Sequence, residues 1–79
     1  MKDSARYAKL VEWSEADQCY VGSATGLMDG GCHGDDERAV FDELCVIVDE
    51  VIELYKVDGK ELPPPISGNE LTRALQGAA

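Results

Sequence analysis

The chain has 79 residues, 16 of them acidic and 7 basic, which gives a formal net charge of −9. A domain of this length buries only about 60% of its unfolded surface, so we expect a marginally stable monomer that associates with other chains. The acidic balance argues against direct nucleic-acid binding, because phosphate recognition needs clustered Lys and Arg. The apolar runs are also shorter than the roughly 20 residues of a membrane span.

Aromatic and branched side chains predict two strands near the N terminus, at residues 6–13 and 18–23. The polar segment 14–17 between them is short, and so short a connection predicts an antiparallel hairpin. A glycine-rich, irregular stretch then leads to a short third strand at residues 31–34. Its two glycines weaken that prediction, because glycine contributes no side chain to a sheet.

A single long amphipathic helix from Asp35 to Asp58 dominates the predicted fold. Asp35 or Asp36 is suited to cap its first turn, and Gly59 tolerates the left-handed conformation that ends a helix. Ten apolar residues share one broad side, and only Val46 lies among the polar ones. The apolar side consists of Val40, Phe41, Leu44, Cys45, Ile47, Val48, Val51, Ile52, Leu54 and Tyr55.

Consecutive prolines make residues 61–66 extended, and proline cannot donate to a central ladder, so this segment belongs at a sheet edge or over the surface. The predicted order is β-β-β-α-β. It defines an α+β domain with a small antiparallel sheet and one long helix packed on one face. We place this domain at residues 6–66. Residues 67–79 form a short C-terminal tail with a weak helical pattern over 67–76.

Zinc and a catalytic thiol are the first chemical hypotheses for Cys19, Cys32, Cys45 and the single histidine, His33. No Cys-x-x-Cys pair is present, and Cys45 lies on the apolar helix side, where cysteine packs as a small hydrophobe. We therefore expect no metal and no cofactor. An odd number of cysteines without a signal peptide predicts a reducing cytoplasm.

The many carboxylates suggest a two-metal nuclease, in which acidic side chains converge on the metal ions. Most of the acidic residues in the helical segment instead fall on its polar side, a pattern typical of a solvated surface. Glu12 is the only carboxylate in the three strands predicted before the helix. The residues therefore favour a binding protein over an enzyme.

The ordered motifs between Tyr7 and Pro65 resemble the HicB family, the antitoxin-like partners of HicA toxins. The shared pattern is a strand ending in Trp and acids, a Tyr-Val strand, a glycine-rich passage, a Gly-Asp helix start and a Gly-x-x-x-Pro exit. Family members usually have proline near Thr25, so the loop after the second strand departs from the pattern here. The matching segments are Trp13-Ser14-Glu15-Ala16-Asp17, Tyr20-Val21-Gly22, Gly26-Leu27-Met28, Gly30-Gly31-Cys32-His33-Gly34-Asp35-Asp36 and Asp58-Gly59-Lys60-Glu61-Leu62-Pro63-Pro64-Pro65.

The resemblance implies a degraded ribonuclease-H-like domain that has lost its catalytic carboxylates and inhibits a small basic HicA-type mRNA interferase toxin. Many HicB proteins carry a C-terminal DNA-binding segment. Residues 67–79 are too short for a helix-turn-helix and carry only Arg73 as a base, so we expect no direct DNA binding. The alternative is a stand-alone, homo-oligomeric HicB-like interaction module without a toxin partner. A homodimer or higher oligomer is expected in either case.

The predicted partner-binding residues are carboxylates on the polar side of the helix. From residue 35 to residue 61 the chain has ten acids and three bases, a field that attracts a basic protein such as a HicA-like toxin. A solvated face that serves only solubility is an equally ordinary interpretation. The candidates, which helical spacing brings together, are Asp42, Asp49, Glu50 and Glu53.

Overall fold

The computed structural model describes residues 2–28, 30–65 and 73. The protein folds into a three-stranded antiparallel sheet and one long helix. The helix packs against the sheet, which confirms the predicted α+β class and the β-β-β-α order. The elements are a 3₁₀ turn (Asp3–Arg6), strands β1 (Leu10–Ser14), β2 (Cys19–Ser23) and β3 (Gly31–Gly34), and helix α1 (Glu37–Val57).

The strands pair in the order β1-β2-β3, and the connection between β1 and β2 is the predicted hairpin. Its turn closes where the Gln18 amide donates to the Ser14 carbonyl at 2.8 Å. Gln18 takes the left-handed conformation there, with φ of 54°. The Ser14 hydroxyl also accepts the Asp17 amide at 3.2 Å. A serine side chain that satisfies a turn amide in this way favours the reversal of the chain.

Side-chain alternation gives the sheet a helix-facing side and an open face. Gly22 and Cys32 are register partners on the helix-facing side. A Cβ placed on Gly22 would meet Val40 at 3.1 Å and the Cys32 Sγ at 3.2 Å, so glycine allows α1 to approach β2 closely. Residues that alternate with these point to the opposite side. The open face carries Leu10, Glu12, Ser14, Cys19, Val21, Ser23, Gly31 and His33.

Helix α1 has the caps that the sequence predicts. The Asp36 carboxylate accepts a hydrogen bond from the Ala39 amide at 2.8 Å, which satisfies one of the free amides of the first turn. Asp58 is the C-terminal cap, and Gly59 follows with φ of 68°. Glycine adopts that conformation without the steric cost of a Cβ.

The core lies between α1 and the helix-facing side of the sheet. Buried residues recur every fourth position along α1, so a narrow stripe of the helix meets the strands. Leu44 and Val48 are completely buried, and Gly22 gives Val40 and Leu44 room over β2. Leu27, from the loop after β2, completes the core. The buried apolar set is Tyr7, Ala24, Leu27, Cys32, Val40, Leu44, Val48 and Ile52.

The covered side of α1 is narrower than the sequence predicts. Phe41 is 44% exposed and Leu54 is 62% exposed, although both fall on the predicted apolar side. A sheet of three short strands covers the central stripe of a helix and leaves its margins in solvent. Val46, which the sequence places among the polar residues, is 56% exposed as predicted.

The first strand begins at Leu10, so the prediction of a strand from residue 6 was wrong. Residues 3–6 form the 3₁₀ turn instead, and Tyr7 is buried before the strand starts. The Tyr7 hydroxyl donates to the Pro63 carbonyl, a contact between residues 56 positions apart. Strand propensity depends on residues close in sequence. It therefore cannot predict this long-range contact, which holds Tyr7 outside the strand.

No strand follows α1 among residues 60–65, so the closing strand of the predicted order is not formed in this part of the chain. Pro63, Pro64 and Pro65 lack the amides that a ladder requires. The segment instead lies on the surface beside Tyr7. The sequence predicted either a sheet edge or the surface for it, and the structure has the surface. The predicted domain end at Ile66 lies outside the described residues. The predicted C-terminal tail also lies outside them, except for Arg73.

Candidate interaction surface

The surface of α1 directed away from the sheet, here called the acidic face, consists of Asp42, Val46, Asp49, Glu50 and Glu53. All five residues are exposed. At about 100° of rotation per residue, Asp42, Asp49 and Glu53 lie within about 40° of one another around the helix axis, and Glu50 lies beside them. The fold therefore brings all four predicted carboxylates to one surface.

Val46 lies at the centre of the acidic face, opposite the buried stripe of α1. Asp42 and Glu50 are four positions away from it, and Asp49 is three positions away, which makes them its neighbours on the helix surface. An exposed apolar residue within a charged rim has the anatomy of many protein–protein interfaces. The sequence identified Val46 only as an exception to the amphipathic pattern.

Two ion pairs join the N-terminal segment to α1. The Lys2 Nζ lies 3.9 Å from the Asp49 Oδ2, and the Lys56 Nζ lies 3.0 Å from the Asp3 Oδ2. The hydrogen bond with Asp3 raises the pKa of Lys56, and the charges of Asp3 and Glu53 add to this increase. Such exposed pairs stabilise a fold little. Within the described residues only Asp49 of the four carboxylates has an ion-pair partner, so the face keeps a net negative charge.

The open face of the sheet contains a depression of about 500 Å³ that the sequence did not predict. Ser23 of β2 and Gly31 of β3, which are register partners, line this space. Val21 and His33 form the next pair and line the same depression. The sequence feature that could have predicted the depression is a pair of small residues at facing strand positions. These residues can be recognised as a pair only when the strand register is known.

The three cysteines have different surroundings. Cys19 lies on the open face, Cys45 lies on α1, and Cys32 is buried on the helix-facing side. Burial raises the pKa of the Cys32 thiol, and the nearby charge of Glu43 raises it further. The Cys32 Sγ also donates to the Val40 carbonyl at 3.4 Å. A thiol that stays protonated in this way fills space in the core and is a poor nucleophile.

The acidic side chains do not form a metal site in the described part of the chain, where no three His, Cys, Asp or Glu residues group to hold an ion. Glu12 is exposed on the open face, whereas α1 lies on the other side of the sheet. The strand carboxylate and the helix carboxylates are therefore separated by the sheet itself.

Comparison of the chain with family models, with curated proteins and with solved structures gave no match. Across the residues that the structure describes, no helix combines the length and the apolar character needed to cross a membrane. The fold and the surface define the class of protein: a small acidic α+β domain that presents one charged helix face to solvent.

Proposed function

We propose that this chain is a HicB-like antitoxin domain that binds and inhibits a small basic HicA-type mRNA interferase toxin. The observation that carries the proposal is the acidic face, where four carboxylates surround the exposed Val46 on the side of α1 that does not contact the sheet. The β-β-β-α order adds support, because it matches the first four elements of the strand-strand-strand-helix-strand order that the resemblance to HicB proteins implies.

Inhibition is competitive in this proposal. A toxin that cleaves mRNA needs a basic surface to hold the RNA phosphates. The carboxylates of the acidic face take the place of those phosphates, and the bulk of the domain covers the catalytic histidine of the toxin. This chain supplies charge and shape to the complex and no catalytic group.

The charges of the acidic face act mainly on the rate of association. Exposed charges steer an oppositely charged partner over distances comparable to the Debye length, about 8 Å at physiological ionic strength. Val46 has a different role, because an apolar contact forms only after docking. Its removal therefore affects dissociation more than association.

Growth of cells that express the toxin tests the proposal. We expect a neighbouring gene to encode a short basic protein of HicA type, whose expression alone arrests growth. Co-expression of this chain should restore growth, and the variant with Asp49→Lys and Glu53→Lys should restore it less. The matched control, Glu15→Lys with Glu61→Lys, changes the net charge equally and lies away from the acidic face, so it should restore growth. Arrest that the unmodified chain does not relieve would overturn the proposal.

We further propose that the chain is not a nuclease. Incubation of the purified protein with single-stranded and double-stranded RNA and Mg²⁺ or Mn²⁺ should leave the RNA intact, because Glu12 and the helix carboxylates lie on opposite sides of the sheet. Metal-dependent cleavage that follows the protein through purification and disappears in Glu12→Gln would show the opposite.

A stand-alone homo-oligomeric interaction module is the second candidate. Its support is the exposure of Phe41, Val46 and Leu54, three large apolar side chains on α1. A pull-down from the native host separates the two functions. Recovery of a small basic protein favours the antitoxin, and recovery of further copies of this chain alone favours the module.

A further inference from the structure

Strand β3 is an edge strand of the sheet. It pairs only with β2, and among residues 2–28 and 30–65 no backbone hydrogen bond joins residues 31–34 to any other element. A strand in this position presents a row of amides and carbonyls to solvent, and an extended chain pairs readily with such a row.

Several features that protect edge strands are missing from β3. Proteins commonly block an exposed edge with lysine, proline or a β-bulge. β3 reads Gly31-Cys32-His33-Gly34 and contains no lysine and no proline. The Cys32 side chain points into the core. A Cβ on Gly31 would meet the Gly22 backbone of β2, and a Cβ on Gly34 would meet Val40, so neither position projects from the outer edge.

The charge near β3 is negative. Asp35 follows the strand directly, and Glu43 on α1 lies three residues after Val40, whose carbonyl accepts from the Cys32 Sγ at 3.4 Å. Pairing of β3 with a second copy would bring two such acidic surroundings to the same edge. Like charges oppose this self-pairing, and the same charges favour a basic partner.

The opposite edge of the sheet fits a basic strand less well. β1 exposes the bulky Leu10 and Trp13, and Lys9 immediately precedes it. Val11 of β1 also lines a surface cleft with Glu37, Arg38, Phe41 and Asp42 of α1, so bulky side chains and both signs of charge lie beside this edge. The combination of small side chains and negative charge is therefore found at β3.

We infer that the outer edge of β3 is a docking strand for an extended basic segment of a partner protein, which joins the sheet beside β3. The inference deepens the proposed function, on which it relies only for the basic character of the partner. Alternate side chains of the added strand point to opposite sides of the sheet. Lys or Arg on the helix-facing side meets Glu43, and small apolar residues on the other side lie beside His33 and the depression.

Amide hydrogen exchange of the full chain, measured by NMR, tests the inference. The probe is a short, acetylated and amidated peptide of alternating Lys and Val at millimolar concentration. Amides of residues 31–34 that exchange fast in the free protein should slow several-fold. The corresponding Glu-Val peptide should give no protection. Protection of β1 or of the acidic face without protection of β3, or no protection anywhere, would overturn the inference.

Charge variants identify the site in the same experiment. Glu43→Lys should reduce the protection by the Lys-Val peptide several-fold, while Glu15→Lys, an equal change in charge in the hairpin turn, should reduce it little. Equal effects would mean that net charge alone draws the peptide, against the inference. A toxin that binds the acidic face and leaves β3 unprotected would overturn this inference and leave the proposed function standing. Protection of β3 by the peptide without any toxin binding would support this inference and overturn the proposed function.

Discussion

Gly22 determines how closely α1 approaches the sheet. A Cβ at this position would lie 3.1 Å from Val40, 3.2 Å from the Cys32 Sγ and 3.4 Å from Leu44, and the first two distances are tighter than ordinary contacts. The small thiol of Cys32 fills the space beside this glycine. The residues under α1 are therefore closely packed, so a change in side-chain volume at one position displaces its neighbours.

Cys32 should react with an alkylating reagent more slowly than Cys19 and Cys45 in the native protein. Its burial blocks the reagent, and its raised pKa lowers the fraction of reactive thiolate. Labelling at neutral pH, followed by peptide mapping, measures the three rates. Denatured protein is the control, in which the rates should converge. Native rates that are equal for all three thiols would contradict the described packing.

The raised pKa of Cys32 also predicts a dependence of stability on pH. The folded state holds the thiol proton more tightly than the unfolded state. This contribution is therefore complete below the ordinary pKa of 9.0 and is lost as the pH rises through the higher pKa of the folded state. The free energy of unfolding should fall in alkaline solution, and Cys32→Ala should make that fall shallower. A slope in Cys32→Ala equal to that of the unmodified chain would contradict the prediction.

Among the secondary-structure elements, α1 was the most predictable. Its apolar spacing, the Asp36 cap and Gly59 specify its two ends through interactions between residues close in sequence. The start of β1 was not predictable, because Tyr7 is held by Pro63 across 56 positions. The covered width of α1 was not predictable either, since it depends on how many strands lie beneath the helix.

The same division between local and long-range structure applies to the candidate surfaces. Helical spacing alone places the four carboxylates together, so the acidic face could be predicted from the sequence. The depression beside His33 and the open edge of β3 result from strand pairing. The neighbours of their residues can be predicted only when the register of β2 and β3 is known.

Substitutions in α1 should separate its buried stripe from its acidic face. Leu44→Ala should lower the free energy of unfolding by about 2–5 kcal/mol, because it opens a cavity in a completely buried site. Val46→Ala, two positions away on the exposed side, should change it by no more than about 0.5 kcal/mol. Urea denaturation followed by circular dichroism measures both changes. Similar losses in the two variants would mean that the helix is oriented differently.

The net charge of −9 acts in opposite directions on two kinds of partner. Two copies of the chain repel each other, and salt weakens that repulsion. A basic protein is attracted, and salt weakens that attraction. The dependence of an association on ionic strength therefore identifies the kind of partner that is bound.

The chain should form a homodimer or a higher oligomer, because it is small and exposes Phe41 and Leu54. We expect this association to strengthen as salt increases. Sedimentation velocity over the micromolar range at low and high salt is the measurement. A folded monomer that shows no dependence on concentration at either salt would refute the prediction.

The rate of association with the basic toxin, measured against ionic strength, shows whether the acidic face guides the partner. For the unmodified chain we predict fast association at low salt and a steep decrease as salt is added. Asp49→Lys with Glu53→Lys should slow association several-fold or more at low salt, flatten the salt dependence and leave the fold intact. Glu15→Lys with Glu61→Lys should have a much smaller effect. Identical rates and identical salt slopes for all three proteins would contradict this prediction and show that the acidic face does not guide the partner.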